Sequence, residues 1–282
     1  MTGGEVKATL NKLGIRPSRK LGQNFLIDPN MRDALIADAD PQPGEDILEV
    51  GAGLGAMTET LLAVGCSLTA VEYDRRLAAF LRKRFTRQSG LRLIEGDACN
   101  LDYDELFGGR PYRCIANLPY SAGTVILAKL AAAANPPREL LILLQSEMAR
   151  RLTANPRTKA YGALSVQIQQ RYEVQITRRI PREVFYPPPD IASASVRLRL
   201  KDDDACMAAS QYAFFCRLVK TGFAQRRKKL FKQLAREFGG KATTEAFRIT
   251  GIGPDTRAEE LTVGQFEKLA QALMQGKANL SS

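Results

Sequence analysis

Asp46-Ile47-Leu48-Glu49-Val50-Gly51-Ala52-Gly53-Leu54-Gly55 is an apolar run of strand length that ends in a turn with glycine at every second position. A helical pattern through Met57, Leu61, Leu62 and Val64 follows it, so the segment reads as strand, tight turn, helix. The same unit recurs downstream. Residues 67–71 make a second strand with 75–85 as its helix, 91–94 a third strand, and 112–116 a fourth. Residues 140–145 form the near-continuous apolar run of a strand buried on both faces, and 193–200 alternate as a late strand. Alternating β and α elements predict an α/β fold with a Rossmann-like, doubly wound, mostly parallel sheet.

That pattern stops at Asp202-Asp203-Asp204, read as a solvated linker rather than a metal site. Beyond it, helical periodicity runs through 212–223, 228–238, 243–249 and 263–274. The expected organisation is a basic N-terminal segment over 1–24, a sheet domain over 25–202, and a smaller C-terminal α-helical domain over 203–282.

The 282 residues are 45% hydrophobic, enough for a substantial core. The longest apolar stretch, 122–134, is interrupted by Lys129 and is too short to span a bilayer. The first twenty residues lack the apolar core of a secretory signal, which predicts a cytoplasmic protein with no membrane partner. Five cysteines are scattered without a Cys-x-x-Cys pair and there is no histidine, so zinc sites and His-based acid–base catalysis are excluded and no metal is expected. The net charge of +11 is uneven. Residues 25–137 carry 11 basic against 15 acidic residues, and all the excess positive charge lies in the flanking segments. A mildly acidic core between basic flanks suits a small-molecule pocket bordered by a polyanion-binding surface.

Four polar positions follow successive strands: Gly51, Glu72, Asp97 and Asn117. In open α/β sheets ligands bind beyond the carboxyl ends of the strands, so these four converge on one crevice. Glu72 can accept both hydroxyls of a ribose and Asp97 an adenine amino group, while the glycine turn leaves room for an amino-acid tail. S-adenosylmethionine fits that inventory. A nicotinamide dinucleotide fits less well, because Gly55 comes one residue early for Gly-x-Gly-x-x-Gly. Asn117-Leu118-Pro119-Tyr120 adds an amide oxygen and a carbonyl before proline that can accept from an exocyclic amine, with a flat ring beside them. That combination suggests chemistry on a nucleobase.

The chain resembles the ribosomal RNA adenine N6-dimethyltransferases, whose fold is that of class I methyltransferases. The likeness starts at Arg19-Lys20-Leu21-Gly22-Gln23-Asn24-Phe25-Leu26 and runs through the glycine turn, Gly96-Asp97-Ala98 and Asn117-Leu118-Pro119-Tyr120. It continues at Tyr161-Gly162-Ala163-Leu164-Ser165-Val166, Phe185-Tyr186-Pro187-Pro188-Pro189-Asp190-Ile191-Ala192-Ser193, Phe223-Ala224-Gln225-Arg226-Arg227-Lys228-Lys229-Leu230 and Arg257-Ala258-Glu259-Glu260-Leu261. The resemblance implies that Asn24, Leu26, Gly51, Glu72, Asp97 and Asn117 hold S-adenosylmethionine. It also implies that Asn117 and the Leu118 carbonyl aim the target amine, with Tyr120 and Phe185 flanking the base. The chain departs from the family pattern at Ala52 (often Pro), at Ile191 (Val), and at Ser121-Ala122-Gly123-Thr124, where an Ile-Ser-Thr-Pro-like continuation is usual.

Methyl transfer to N6 of two adjacent adenosines near the 3′ end of small-subunit rRNA, on an assembling 30S-type subunit, is the activity the resemblance implies. A monomer is expected, with phosphates met by Arg226-Arg227-Lys228-Lys229 and Lys232, by Arg150-Arg151 and by the N-terminal segment. The main alternative is a ribosome-assembly or transcription-associated binding factor on the same fold. An oxidoreductase and a DNA adenine methyltransferase are further readings. The base must leave its stack to be reached, which favours a loop or single-stranded target.

Overall fold

The computed structural model describes residues 1–18, 21–202 and 207–278. Arg19 and Lys20 of the basic segment, Asp203 and Asp204 of the acidic triplet, and Cys206 lie outside the described residues. Two compact units make up the chain, one of Met1–Ala149 with Val174–Leu200, the other of Arg150–Glu173 with Lys201–Ser282.

In the first unit, α1 (Gly3–Lys12), β1 (Phe25–Leu26) and α2 (Pro29–Ala39) precede the alternating elements. Those are β2 (Asp46–Val50), α3 (Ala56–Val64), β3 (Ser67–Glu72), α4 (Arg75–Arg84), β4 (Leu91–Glu95), α5 (Tyr103–Phe107), β5 (Arg113–Asn117), α6 (Gly123–Ala132) and β6 (Glu139–Gln145). The chain continues through α7 (Ser146–Leu152) and α8 (Ala163–Arg171), then returns to the sheet with β7 (Tyr172–Ile180), β8 (Phe185–Tyr186) and β9 (Ser193–Leu200). Seven strands lie in the order β4-β3-β2-β5-β6-β9-β7, and β1 and β8 form a separate antiparallel pair. The β2–β3, β3–β4, β2–β5 and β5–β6 pairs are parallel; β6–β9 is antiparallel.

The expected doubly wound sheet is therefore present, and its topology places a crevice. From β2 the chain steps outward to β3 and β4, then crosses back to β5 on the other side of β2. Strand order reverses between β2 and β5, and ligands of open α/β sheets bind at such a switch point. The strands hold their places by burial. Ile47, Leu68, Ile115 and Leu141 from β2, β3, β5 and β6 pack with Met57 and Leu61 of α3, all nearly inaccessible to solvent. Each such aliphatic side chain contributes roughly 1.5–3 kcal/mol of transfer free energy. Asp28 caps α2 through the Met31 amide at 2.7 Å, with Pro29 in the first helical turn.

In the second unit, α8 belongs with α9 (Ala209–Phe223), α10 (Leu230–Phe238), α11 (Gly240–Thr250) and α12 (Val263–Ala278). Phe215, Leu218, Leu234, Phe266, Leu269 and Leu273 form a fully buried core there. The chain divides differently from the single boundary expected near residue 203, because residues 150–173 join this unit. Tyr161 and Val166 pack in the same helical core, and the Tyr161 hydroxyl donates to the Leu261 carbonyl at 2.9 Å. Among the described residues no helix is long and apolar enough to cross a membrane.

Candidate functional site: a cavity at the switch point

The carboxyl ends of β2, β3, β4 and β5 open into a cavity of about 240 Å³, which segment 21–26 also lines. Its floor is the glycine turn. Gly51, Gly53 and Gly55 all have positive φ (78°, 60° and 80°), a conformation that costs an L-residue about 1–2 kcal/mol. A side chain at Gly51 would stand 3.3 Å from the Asn117 carbonyl oxygen, so the absent Cβ is what keeps β2 and β5 turns close together with space above them.

Glu72 ends β3 and is 6% exposed. Its Oε2 accepts from the Gly53 amide and its Oε1 from the Asp74 amide, both at 2.8 Å. Burial pushes the Glu72 carboxyl above its ordinary range, while the amides of Asp74 and Gly53 hold it down. Glu49, on β2, accepts from the Thr58 hydroxyl at 2.6 Å. Burial raises it to about 8, the Thr58 hydrogen bond opposes the shift, and the nearby Glu72 charge adds to it. Asp97, in the turn after β4, accepts from the Cys99 amide at 2.9 Å and from Asn100 Nδ2 at 3.2 Å. Glu72, Asp74 and Asp97 line the cavity together with Glu49, which keeps its proton near neutral pH, and among the described residues no Lys or Arg side chain lines it. A ligand with positive charge matches that lining; a pyrophosphate does not.

At the β5 end, Asn117 donates from Nδ2 to the Asn24 carbonyl at 3.0 Å. A carbonyl can only accept, so this bond turns the amide nitrogen toward Asn24 and leaves Oδ1 as the acceptor. Asn24 in turn donates to the Gly22 carbonyl at 3.3 Å. Gly22, at φ 64°, lies directly on the Asn-Leu-Pro-Tyr turn, where an added Cβ would stand 2.7 Å from the Tyr120 amide nitrogen. The Pro119 carbonyl accepts from the Ala122 and Gly123 amides, closing a turn into α6. The divergent Ser121-Ala122-Gly123-Thr124 segment thus forms this turn and the start of α6, with Ala122 at an N-cap that has no side-chain hydrogen bond.

Of the residues singled out in the sequence, Asn24, Leu26, Gly51, Glu72, Asp97 and Asn117 are brought together on the cavity. Leu118, 1% exposed, anchors the turn in the core. Tyr120 is half-buried, outside the cavity lining, and its hydroxyl bonds to the hydroxyl of the fully buried Ser193. Burial raises the Tyr120 phenol, and the Ser193 hydrogen bond opposes this. Phe185 is not brought to the cavity. It is 1% exposed and packs among Leu26, Leu35, Leu143, Ile180 and Val184, paired to Leu26 across the β1–β8 ladder. Gln23, Glu49 and Ser193 were not assigned roles from sequence, although each sits inside a motif. Ser193 opens β9 and ties the Pro-rich stretch to Tyr120, while Gln23 reaches Asp74 at 3.3 Å.

This sheet order, with a glycine cradle at its switch point, is the fold of the class I methyltransferases. Two solved structures share its fold: a dimethyladenosine transferase from Plasmodium falciparum (TM-score 0.76, 21% identity, 90% of this chain and 98% of that one) and the 23S rRNA methyltransferase ErmE (TM-score 0.64, 23% identity, 89% and 100%). The sequence model of the ribosomal RNA adenine dimethylases matches residues 15–275, and the chain belongs to that family. A protein named ribosomal RNA small subunit methyltransferase A from Pelotomaculum thermopropionicum is 37% identical over 282 residues, covering 95% of each chain. One of the same name from Syntrophotalea carbinolica is 39% identical over 259 residues, covering 92% of this chain and 97% of its own. With the family come its activity, dimethylation of adenine in ribosomal RNA, and its methyl donor, S-adenosylmethionine.

Proposed function

We propose that this protein dimethylates N6 of two adjacent adenosines near the 3′ end of small-subunit rRNA, acting as a cytoplasmic monomer on an assembling subunit. The observation that carries the site assignment is the Asn117–Asn24 hydrogen bond, which occupies the amide nitrogen and leaves Oδ1 as the acceptor of a side chain that lines the cavity. The donor's fit rests on the glycine cradle and on the carboxylates of Glu72, Asp74 and Asp97, with no Lys or Arg among the described lining residues. Bound S-adenosylmethionine supplies an electrophilic methyl group on a sulfonium.

In this reading Glu72 holds the ribose hydroxyls with the lone pairs that Gly53 and Asp74 leave open, Asp97 meets the adenine amine, and Gly51 lies under the methionine tail. Asn24 and Leu26 close the pocket from the N-terminal side. Asn117 Oδ1 and the Leu118 carbonyl accept the two N6 protons of the target. That geometry favours a pyramidal nitrogen whose lone pair points at the methyl group. The N–C bond forms as the S–C bond breaks, and the amine proton leaves once transfer has made it acidic. Positioning rather than a strong base supplies the rate, in keeping with a chain that has no histidine. Tyr120, held by Ser193, stacks on the extruded base, and Phe185 supports Leu26 from below. The second unit, with Arg227, Lys228 and Lys232 exposed, receives RNA phosphates.

Incubation of the purified protein with unmethylated small subunits and isotopically labelled donor, followed by nuclease digestion and mass spectrometry, tests the proposal. Two N6,N6-dimethyladenosines in adjacent positions near the 3′ end are expected. Absence of label, or label on another nucleotide, overturns it.

A further inference from the structure

The first unit is acidic at its cavity yet strongly basic on one outer face. Between residues 75 and 92 the sequence carries seven Lys and Arg residues and no carboxylate. Most of this run is α4, where Leu77, Ala78 and Leu81 are buried and the basic positions turn outward. Beside it lies α1. Val6, Leu10 and Ile15 share a buried cluster with Leu77 and Phe80, Arg76 donates to the Gly14 carbonyl at 2.9 Å, and Arg84 reaches Met1. Residues 1–18 and 73–95 together hold ten Lys and Arg against three carboxylates, a net charge of +7.

Part of that charge has internal work. Arg84 pairs with Glu59 at 2.8 Å and Arg82 with Glu95 at 2.9 Å, while Arg76 is held by Gly14 and Asp74. Lys12, Arg16, Lys83, Arg87 and Arg92 are exposed and have no carboxylate partner among the described residues; Lys7, also exposed, rests 5.0 Å from the Tyr186 ring centroid. Such a set repels itself in the free protein and calls for a polyanion. The face carries one large exposed apolar side chain, Tyr73, 60% exposed at the cavity rim, which is too little to enter a lipid surface but suits stacking on a base. The face is also the outside of the cavity wall, because Val6 and Leu77 line the cavity from the same two helices.

We infer that α4 and Arg92 join α1 of the basic N-terminal segment in one phosphate-binding surface for the rRNA substrate, additional to the basic turn of the second unit. This rests on the proposed function for the identity of the polyanion. RNA running over this face lies against the wall of the donor cavity, so phosphate contacts here fix the register of the strand that delivers the target base.

The triple variant Lys83→Glu/Arg87→Glu/Arg92→Glu tests it, with the neutral Lys83→Gln/Arg87→Gln/Arg92→Gln as a second variant. All three side chains are exposed and none lines the cavity. Binding to deproteinised small-subunit rRNA is measured across a salt series. At about 0.7 per phosphate on single strands, the slope of log affinity against log salt should shrink by about 2 in both variants, with affinity at low salt down at least ~10-fold for the charge reversal. Donor affinity should be unchanged. A wild-type slope and affinity in the folded variants overturns the inference. If the wild type methylates correctly and these variants bind RNA normally, only this surface falls; if the wild type fails to methylate, the proposed function falls while the salt slopes still report on the surface.

Discussion

The two ends of the cavity are built in opposite ways. At the donor end, the two carboxylates assigned to the donor are fixed by near neighbours in the chain: Glu72 by the backbone amides of Asp74 and Gly53, Asp97 by the Cys99 backbone amide and the Asn100 side chain, two to nineteen residues apart. At the acceptor end, Asn117 is oriented by Asn24 and Tyr120 by Ser193, 93 and 73 residues away. Local hydrogen bonds form as soon as their β–α unit forms. Distant ones depend on the whole unit folding correctly and on the N-terminal segment lying across the turn. The donor pocket is therefore the sturdier half, and the acceptor half is where small changes should reach catalysis.

The largest separation of the two halves is expected from Asn117→Ala. Losing the acceptor oxygen removes the aim of the amine and should lower the methylation rate by at least ~100-fold. The local donor contacts stay, so donor affinity by calorimetry should change less than ~5-fold. Equal loss of donor binding and rate breaks the division.

Gly22→Ala strikes the seam between the halves. The new Cβ meets the Tyr120 amide nitrogen at 2.7 Å in a backbone at φ 64°, so segment 21–26 must lift from the turn. About 1–2 kcal/mol of backbone strain alone corresponds to roughly a 10-fold effect. Both donor affinity and rate should fall by about that factor, with the fold intact by circular dichroism. Wild-type kinetics would show that Asn24 reaches Asn117 without this contact.

The contrast in range also explains what was legible in the sequence. The strands β2 and β9 were expected over the residues where they form, and β3 through β6 within a residue or two, because each carries its own apolar run and its own turn. The crevice followed from strand ends alone. β1 and β8, two residues each, are too short to show a period, and the edge strand β7 is mostly exposed, with Ile176 turned toward solvent. Residues 150–173, chiefly the loop between α7 and α8 with α8 itself, carry nothing in their sequence that says which core receives them. Phe185 carried a family motif, yet the motif does not tell a buried ring from a stacking one.

The donor end has its own test in pH. The Glu49 carboxyl moves from an ordinary 4.5 to about 8 on folding, chiefly by burial. Between those values the folded chain keeps a proton that the unfolded chain has lost, so stability falls as pH rises through that window. Glu49→Gln lacks this term. Its melting temperature should match the wild type below about pH 4.5 and exceed it increasingly up to about pH 8, then stay a constant distance above. Parallel profiles would show that Glu49 is ionised in the fold near neutral pH.

The smallest effect should come from Ser193→Ala, which removes the partner of the Tyr120 hydroxyl without touching the cavity. A neutral hydrogen bond contributes about 1 kcal/mol net, so kcat/KM for rRNA should fall by roughly 5-fold with donor affinity unchanged. The sharper measurement is the cycle with Tyr120→Phe. If the two hydroxyls act on the ring through their mutual bond, either single change already loses that bond, and Ser193→Ala/Tyr120→Phe should be no worse than the singles by more than about 0.5 kcal/mol. Additive losses would mean that Ser193 supports the site by packing at the start of β9 and that Tyr120 meets the RNA on its own. The cycle thus measures directly whether a contact spanning 73 residues orders the acceptor end.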